Sequence, residues 1–446
     1  MEVYGTGTLG IGGVIRESVD DFIVEEVLVD GSVARIEAAG SRGLGASTSR
    51  QRYLLCIMVK RNWDMLVAIK NIAKQLGVSQ TQIQVAGIKD AKAVTAQYIT
   101  IENGTAEDIA RINVKDIEVR PIGYFRDELS SFYLLGNSFK IRIKALKHSE
   151  ATVEKRLSET MEKLESFGGI PNFFGHQRFG TSRPITHIVG KAILNGDFEE
   201  AAMLFLAEPS EHEHASSRQT RVELQAKRDF GQALHNYPKQ LRFERLMLRH
   251  LVEKTGDFVG AFRRLPIKLQ QLFVQAYQSY LFNRFLSERI RNGFSLNSAE
   301  VGDFVVNVER SGLPMAKTGR MVNADSLAEV SGLIKAGKLR VALPLVGTRQ
   351  RLSEGVMGQI EKRILEAEGV EPANFNVDAM PEISGKGGLR AIVSPVRDFL
   401  VESGSPSTNG LRRRQAELGF TLLRGSYATM LLREIMKPPD PICAGF

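Results

Sequence analysis

The chain has 446 residues, 43% of them hydrophobic, and its 59 Lys+Arg against 51 Asp+Glu leave a net charge of +8; that is enough chain for two or three domains with full cores. It contains no apolar run of the roughly 18 residues a membrane span needs, and its two cysteines, Cys56 and Cys443, supply neither a disulfide framework nor a zinc cluster. The N-terminus lacks the basic-then-apolar layout of a signal peptide, so a cytoplasmic location is expected, and the modest positive excess permits a nucleic-acid partner without requiring one.

Near the start, "GTGTLG" (5–10) has the form of a dinucleotide fingerprint. No strand pattern precedes it and no amphipathic helix follows, so it fails the context that motif needs. Residues 11–29 read as two short strands around a turn, and "GSRGLGASTSR" (40–50) as a flexible, basic loop. "YLLCIMVK" (53–60) is an apolar strand. Residues 63–76 have helical spacing, with Leu66, Ile69, Ala73 and Leu76 on one face and Gly77 as the stop. Ser79 and Gln82 form a capping-box pair for a short helical turn.

The stretch "VAGIKDAKAVTAQYITI" (85–101) follows. Its second half, Val94 to Ile101, is β-branched and aromatic and reads as a strand. The turn leading into it sets one carboxylate, Asp90, between Lys89 and Lys92. Those lysines are candidates to hold Asp90 ionised or to contact phosphates; alternation along the chain prevents both from doing the first.

"FKIRIKA" (139–145) alternates strictly, with Phe139, Ile141 and Ile143 on one side and Lys140, Arg142 and Lys144 on the other. In an isolated strand this is a solvated charged face more often than a phosphate track. A helix over 149–167 is capped by Ser149 and stopped by Gly168-Gly169. "IPNFFGHQRFG" (170–180) crowds Asn172, Phe173, Phe174, His176, Gln177, Arg178 and Phe179 between glycines. Aromatic rings and amides on such a loop are materials for stacking on an unpaired base and reading its edge, and equally for a tightly packed aromatic turn.

"EHEH" (211–214) places His212 and His214 two residues apart, not the four of a helical zinc pair, and reads as a charged loop. Residues 269–291 carry the strongest helix pattern, after Pro266 and before Gly293. Residues 297–380 read as short strands and turns with a helix near 353–368, "GSPSTNG" (404–410) as a second flexible loop, and 420–436 as strand, turn at Gly425, and helix. "SGKGG", with Lys386, lacks phosphate-loop spacing, no serine sits in a GxSxG elbow, and there is no internal repeat.

Four stretches together, "DDFIVEE" (20–26), "AGIKDAKAVTAQ" (86–97), "PNFFGHQRFG" (171–180) and "RGSYATMLLREI" (424–435), resemble the TruD family of tRNA pseudouridine synthases, in the family's order and across nearly the whole chain. The resemblance implies an α+β fold: a pseudouridine-synthase domain with a mixed, mainly antiparallel central sheet flanked by helices, plus an inserted α/β TRUD domain. The catalytic domain would take residues 1–197 and 386–446, the insertion 198–385. Asp90 would be the catalytic residue, as nucleophile or base. Asn172, Phe174, Arg16, Phe22, Lys89 and Tyr427 would bind substrate, Tyr427 standing where some members carry phenylalanine.

The implied activity is isomerisation of a uridine in tRNA, expected at uridine 13 of the D-arm, without cofactor or metal and with the monomer as default. The basic residues of 139–145 and the Arg412-Arg-Arg414 run would then contact the RNA backbone. The alternatives are an RNA-binding protein that keeps the pocket without catalysis, and a nucleoside hydrolase. A hydrolase wants a second positioned carboxylate; Glu102 and Asp108 are the nearest and neither sits in a motif.

Overall fold

The computed structural model describes residues 3–37, 44–403 and 415–446; the loop expected at 404–410, the Arg412-Arg-Arg414 run and the first four residues of "GSRGLGASTSR" (40–43) lie outside them. Chain contacts divide the protein into two compact units. One comprises Thr6–Ile170, Arg310–Leu313 and Ser394–Phe446; the other comprises residues 3–5, Pro171–Glu309 and Pro314–Val393. The contact boundaries therefore fall at 170/171 and 393/394, whereas the sequence reading sets them at 197/198 and 385/386. The helix Thr186–Leu194 accounts for the first difference. Its Gly190 packs so closely on the long helix Ile267–Arg291 that a Cβ there would run into the Phe273 carbonyl.

The first unit is built on an eight-stranded sheet. Its main path runs Val396–Ser403, Ala416–Leu423, Leu134–Ile143, Phe22–Leu28, Val94–Glu102, Tyr53–Arg61, Ile117–Phe125, and the short strand Ile83–Val85 also pairs with Val94–Glu102. Only Phe22–Leu28 with Val94–Glu102 is parallel; every other pairing is antiparallel. The sheet is thus mixed and mainly antiparallel, as expected. Of the two strands read at 11–29, one forms, Phe22–Leu28; the other is a single bridge, Val14 with Lys144.

The two-residue side-chain period decides what each sheet face carries. Toward one end, Leu54, Cys56, Met58, Ile99 and Ile101 pack under the helix Met65–Leu76. Further along the sheet, Phe139 stacks on Phe420 at 5.3 Å and meets Phe22 edge-on at 6.2 Å. Between these apolar regions the cross-strand register sets a polar band: Lys60 opposite Thr95, Met58 opposite Gln97, and Glu26 opposite Asn137.

The second unit is mostly helical, with a four-stranded antiparallel sheet in the order Gly388–Ala391, Leu339–Leu345, Phe304–Val308, Pro314–Met321. The helix Ile267–Arg291 is its spine. It buries residues around most of its circumference, from Phe273 through Tyr277 and Phe282 to Arg289, the mark of a helix enclosed by others. Its buried Arg289 is neutralised by Asp303, with two bonds of 2.8 Å. The helix expected near 353–368 is Gly355–Glu368. A second helix in that region, Leu327–Lys335, falls where the sequence reading has only strands and turns.

Candidate active site

Arg16, Phe22, Lys89, Asp90 and Tyr427 belong to the first unit, Asn172 and Phe174 to the second. They form two clusters.

The first cluster surrounds the turn 86–93. Asp90 sits just before the strand Val94–Glu102, and its side chain is 41% exposed. Three anchors hold the turn. Lys60, fully buried on strand 53–61, donates to the Asp90 carbonyl at 2.6 Å. Gln97, also fully buried, donates from Nε2 to the Gly87 carbonyl at 3.4 Å. Lys89 turns inward, its Nζ 2.7 Å from Glu26 Oε1 and 2.7 Å from Asn137 Oδ1. Glu26 has no exposed surface; burial pushes its carboxyl up, and Lys89 opposes that shift. Burial likewise pulls the Lys60 ammonium down to about 8, against the pull of Asp90 and Asp64.

Neither flanking lysine is therefore the cation beside the Asp90 carboxylate. Lys89 spends its charge on Glu26, and Lys92 stands exposed on the turn. The partner is Arg16, whose Nη2 lies 3.5 Å from Asp90 Oδ1. Its guanidinium also lies 3.9 Å above the Phe22 ring and donates from Nη1 to the Gly445 carbonyl at 3.4 Å. Burial depresses the Arg16 guanidinium, with Asp90 opposing.

Arg16 has a left-handed backbone, φ +59°, uncommon outside glycine and costly unless the surroundings enforce it. Here they do. Val14 exchanges backbone bonds with Lys144 at 2.9 Å, and Ile15 donates to the Ala444 carbonyl at 3.0 Å. Just upstream, Gly13 has φ +89° and leaves no room for a Cβ against Ile143 and Lys144. Tyr427 is half-buried at the N-cap of the helix Ala428–Met436, after the turn at Gly425.

The second cluster is the loop after Pro171. Asn172 is buried. Its backbone N–H donates to the Ile392 carbonyl at 2.7 Å and its Nδ2 to the Ala391 carbonyl at 2.9 Å. Arg390 donates to both the carbonyl and Oδ1 of Asn172, at 3.0 and 2.7 Å. The same guanidinium lies 4.0 Å over the Phe174 ring, which meets Phe282 edge-on at 5.6 Å. Asn283 clamps the Phe174 backbone, accepting its N–H at 2.9 Å and donating to its carbonyl at 3.0 Å. Arg178 bonds Ser279 Oγ at 3.1 Å and Gln275 at 3.2 Å. "EHEH" is an ionic and capping segment: Glu213 pairs with Arg221 at 3.0 Å, and His214 caps the helix Ala215–Lys227. Among the described residues no group of His, Cys, Asp and Glu is arranged to hold a metal, and no helix is long and apolar enough to cross a membrane.

Sequence reasoning singled out neither Lys60, Glu26 and Asn137 nor Arg390. Strand alternation places Glu26 on the same face as Phe22 and Lys60 on the same face as Met58, which is a usable signal. Arg390 lies 218 residues from Asn172 in the chain, and nothing local points to it.

A single carboxylate on a turn anchored at three points, with a half-buried cation beside it that in turn lies over an aromatic ring, is equipped for nucleophilic or acid–base chemistry on an organic substrate. The family model for tRNA pseudouridine synthase D (TruD) matches residues 1–435. A protein of Methanosarcina mazei named "Probable tRNA pseudouridine synthase D" is 38% identical over 437 residues, covering 98% of this chain and 96% of its own length. Its namesake in Methanosarcina acetivorans is 39% identical over 442 residues, covering 99% and 96%. A solved crystal structure of the Methanosarcina mazei TruD protein superimposes with a TM-score of 0.82 at 37% identity, covering 99% of this chain and 97% of that one. This chain belongs to the TruD family of tRNA pseudouridine synthases.

Proposed function

We propose that the protein is an isomerase that converts uridine to pseudouridine in tRNA, at uridine 13 of the D-arm, with Asp90 as its catalytic residue. The unit holding the eight-stranded sheet would be the catalytic domain, and the other the family's insertion. The reaction breaks the N1–C1′ bond of uridine, turns the uracil and joins C5 to C1′; C5 loses a proton and N1 gains one. Atoms and electrons balance within the nucleotide, so no redox cofactor is required. What is required is one carboxylate able to attack the sugar or uracil C6, or to take a ribose proton.

The observation that carries the reading is the state of Asp90: half-exposed and fixed through its own carbonyl by Lys60. Among the described residues its only ion pair is the 3.5 Å approach of Arg16. A carboxylate with a structural role would be spent on a short internal pair, as Glu26 is on Lys89 at 2.7 Å. Glu102 and Asp108 offer no second catalytic carboxylate of the kind a hydrolase needs: Arg52 holds the first at 2.8 Å, and the second caps Thr105 at 2.8 Å. On the substrate side, Phe174 would stack on the everted uracil and Asn172 would contact its edge. Eversion costs a few kcal/mol, offset by such contacts.

The test is incubation of purified protein with unmodified tRNA and no additive, followed by carbodiimide labelling and primer extension. A new stop at uridine 13, absent with Asp90→Asn while tRNA affinity stays within a few fold, is the expected outcome. Release of free uracil would mark a hydrolase, and binding without conversion would mark a non-catalytic RNA-binding protein.

A further inference from the structure

The turn that holds Asp90 also carries an apolar side chain with no packing role. Ile88 is 75% exposed, more than any other large hydrophobic residue among those described. Single exposed apolar residues are ordinary on protein surfaces; the placement of this one is not. The residue before it, Gly87, is held through its carbonyl by buried Gln97 at 3.4 Å. The residue after it, Lys89, is locked onto Glu26 and Asn137 at 2.7 Å each. Asp90 is in turn held by Lys60 at 2.6 Å. Along the turn, Ala86 is buried, Gly87 half-buried, Ile88 exposed, Lys89 buried and Asp90 half-buried. Ile88 and Asp90 therefore leave the turn on its solvent side, with exposed Lys92 beyond them. A β-branched side chain is stiff at χ1, and here its backbone is stiff as well, so Ile88 is offered to solvent in a fixed position two residues from the carboxylate.

Resting on the reading of this turn as the site of uridine isomerisation, we propose that Ile88 is a wedge. It inserts into the RNA base stack at the place the target uridine vacates and so holds that uridine out within reach of Asp90. Apolar side chains, isoleucine among them, fill opened base steps in bent nucleic acids, and an everted base leaves such a gap. The wedge matters only where there is a stack to fill. Ile88→Ala should therefore damage turnover of folded tRNA and largely spare turnover of a short unstructured oligonucleotide carrying the same uridine.

Two measurements test this. In the first, kcat/KM of the wild type, Ile88→Ala and Ile88→Leu is compared on both RNAs. The expected result is a loss of about tenfold or more for Ile88→Ala on folded tRNA, less than about threefold on the oligonucleotide, and recovery of most of the loss by Ile88→Leu, which restores bulk. Equal losses on both RNAs, or none on tRNA, overturn the wedge. In the second, 2-aminopurine is placed beside the uridine that the wild type converts. Its fluorescence is read at saturating protein in the Asp90→Asn background, with and without the Ile88→Ala substitution. A rise that depends on Ile88 supports the wedge. The same rise without it overturns the wedge, whether or not the oligonucleotide is a substrate. If the wild type converts no uridine at all, the isomerase reading has failed, and that result is distinct from either outcome for Ile88.

Discussion

Arg16 Nη2 stands 3.5 Å from Asp90 Oδ1 while the same guanidinium lies over the Phe22 ring, 3.9 Å from its centre. The contact is too long for a strong charge-assisted hydrogen bond, which closes to about 2.7–2.9 Å. It supplies positive potential without occupying the carboxylate. Arg16→Met should lower kcat on tRNA by about a hundredfold, the scale on which one preorganised electrostatic contact acts, with KM within a few fold. Arg16→Lys should recover only part of that, because an ammonium cannot stack flat on Phe22 and reach Asp90 together. Steady-state kinetics decide the point. A rise in KM at constant kcat would make Arg16 a phosphate contact instead.

Lys60 gives the fold a pH dependence whose sign can be worked out. Burial lowers its ammonium from the ordinary 10.5 to about 8. Below about 8 the group is charged in the folded and the unfolded chain, and its desolvation opposes folding in full. Between about 8 and 10.5 the folded chain has lost the proton and the unfolded chain keeps it, so stability attributable to Lys60 rises with pH through that window. The neutral amine can still donate to the Asp90 carbonyl. Urea midpoints of the wild type and of Lys60→Met, compared at pH 7.5 and 10, should show the wild type gaining on the variant at the higher pH. A difference that stays flat or reverses would mean that Lys60 is not titrating as the buried group described.

Local features of the fold were legible because their causes are local. Gly77 ends its helix in the left-handed region, φ +68°, Ser79 and Gln82 form the capping box, and Ser149 caps its helix. The strand entering from Asp90 runs Val94–Glu102, close to the alternating β-branched run. Of the face read for the helix Met65–Leu76, Ile69 and Ala73 are buried and Leu76 packs against the same core, but Leu66 is 64% exposed. Met65, Ala68 and Ile72 complete the buried stripe instead, because the cap at Asp64 fixes where the first turn points and small alanines fit closest to the sheet.

The stripe Lys140, Arg142, Lys144 does alternate as read, and it is a partly exposed face whose cations are paired within the chain. Lys140 is 2.6 Å from Glu417, Arg142 is 2.8 Å from Glu417, and Lys144 is 2.8 Å from buried Asp21. Glu417 comes from the neighbouring strand Ala416–Leu423 and Asp21 from the short turn Val19–Asp21 that precedes the strand Phe22–Leu28, both far away in the chain, so alternation alone could not reveal that these cations are already paired. The same limit hid the direction of Lys89, whose partners Glu26 and Asn137 join it only when three strands assemble.

Arg390 holds both features of the second cluster at once, and this makes its removal informative. It bonds the carbonyl and Oδ1 of Asn172 and covers Phe174 at 4.0 Å. The buried amide of Asn172 thereby has a set orientation, with one N–H and one lone pair left to offer. In Arg390→Met, Oδ1 loses a charged donor in a buried setting, a loss worth about 1–3 kcal/mol, and Phe174 loses the cation that covers its ring at 4.0 Å. The unfolding transition should fall by that amount, while kcat falls by more than about tenfold, since the stacking and edge contacts no longer arrive together. Arg390→Lys should not restore kcat, because a single ammonium cannot bond two oxygens of Asn172 and lie over a ring. Thermal unfolding and single-turnover rates, measured on the same samples, separate the two effects. If kcat survives in a destabilised Arg390→Met protein, Arg390 serves the fold alone, and the substrate contacts proposed for Asn172 and Phe174 do not depend on it.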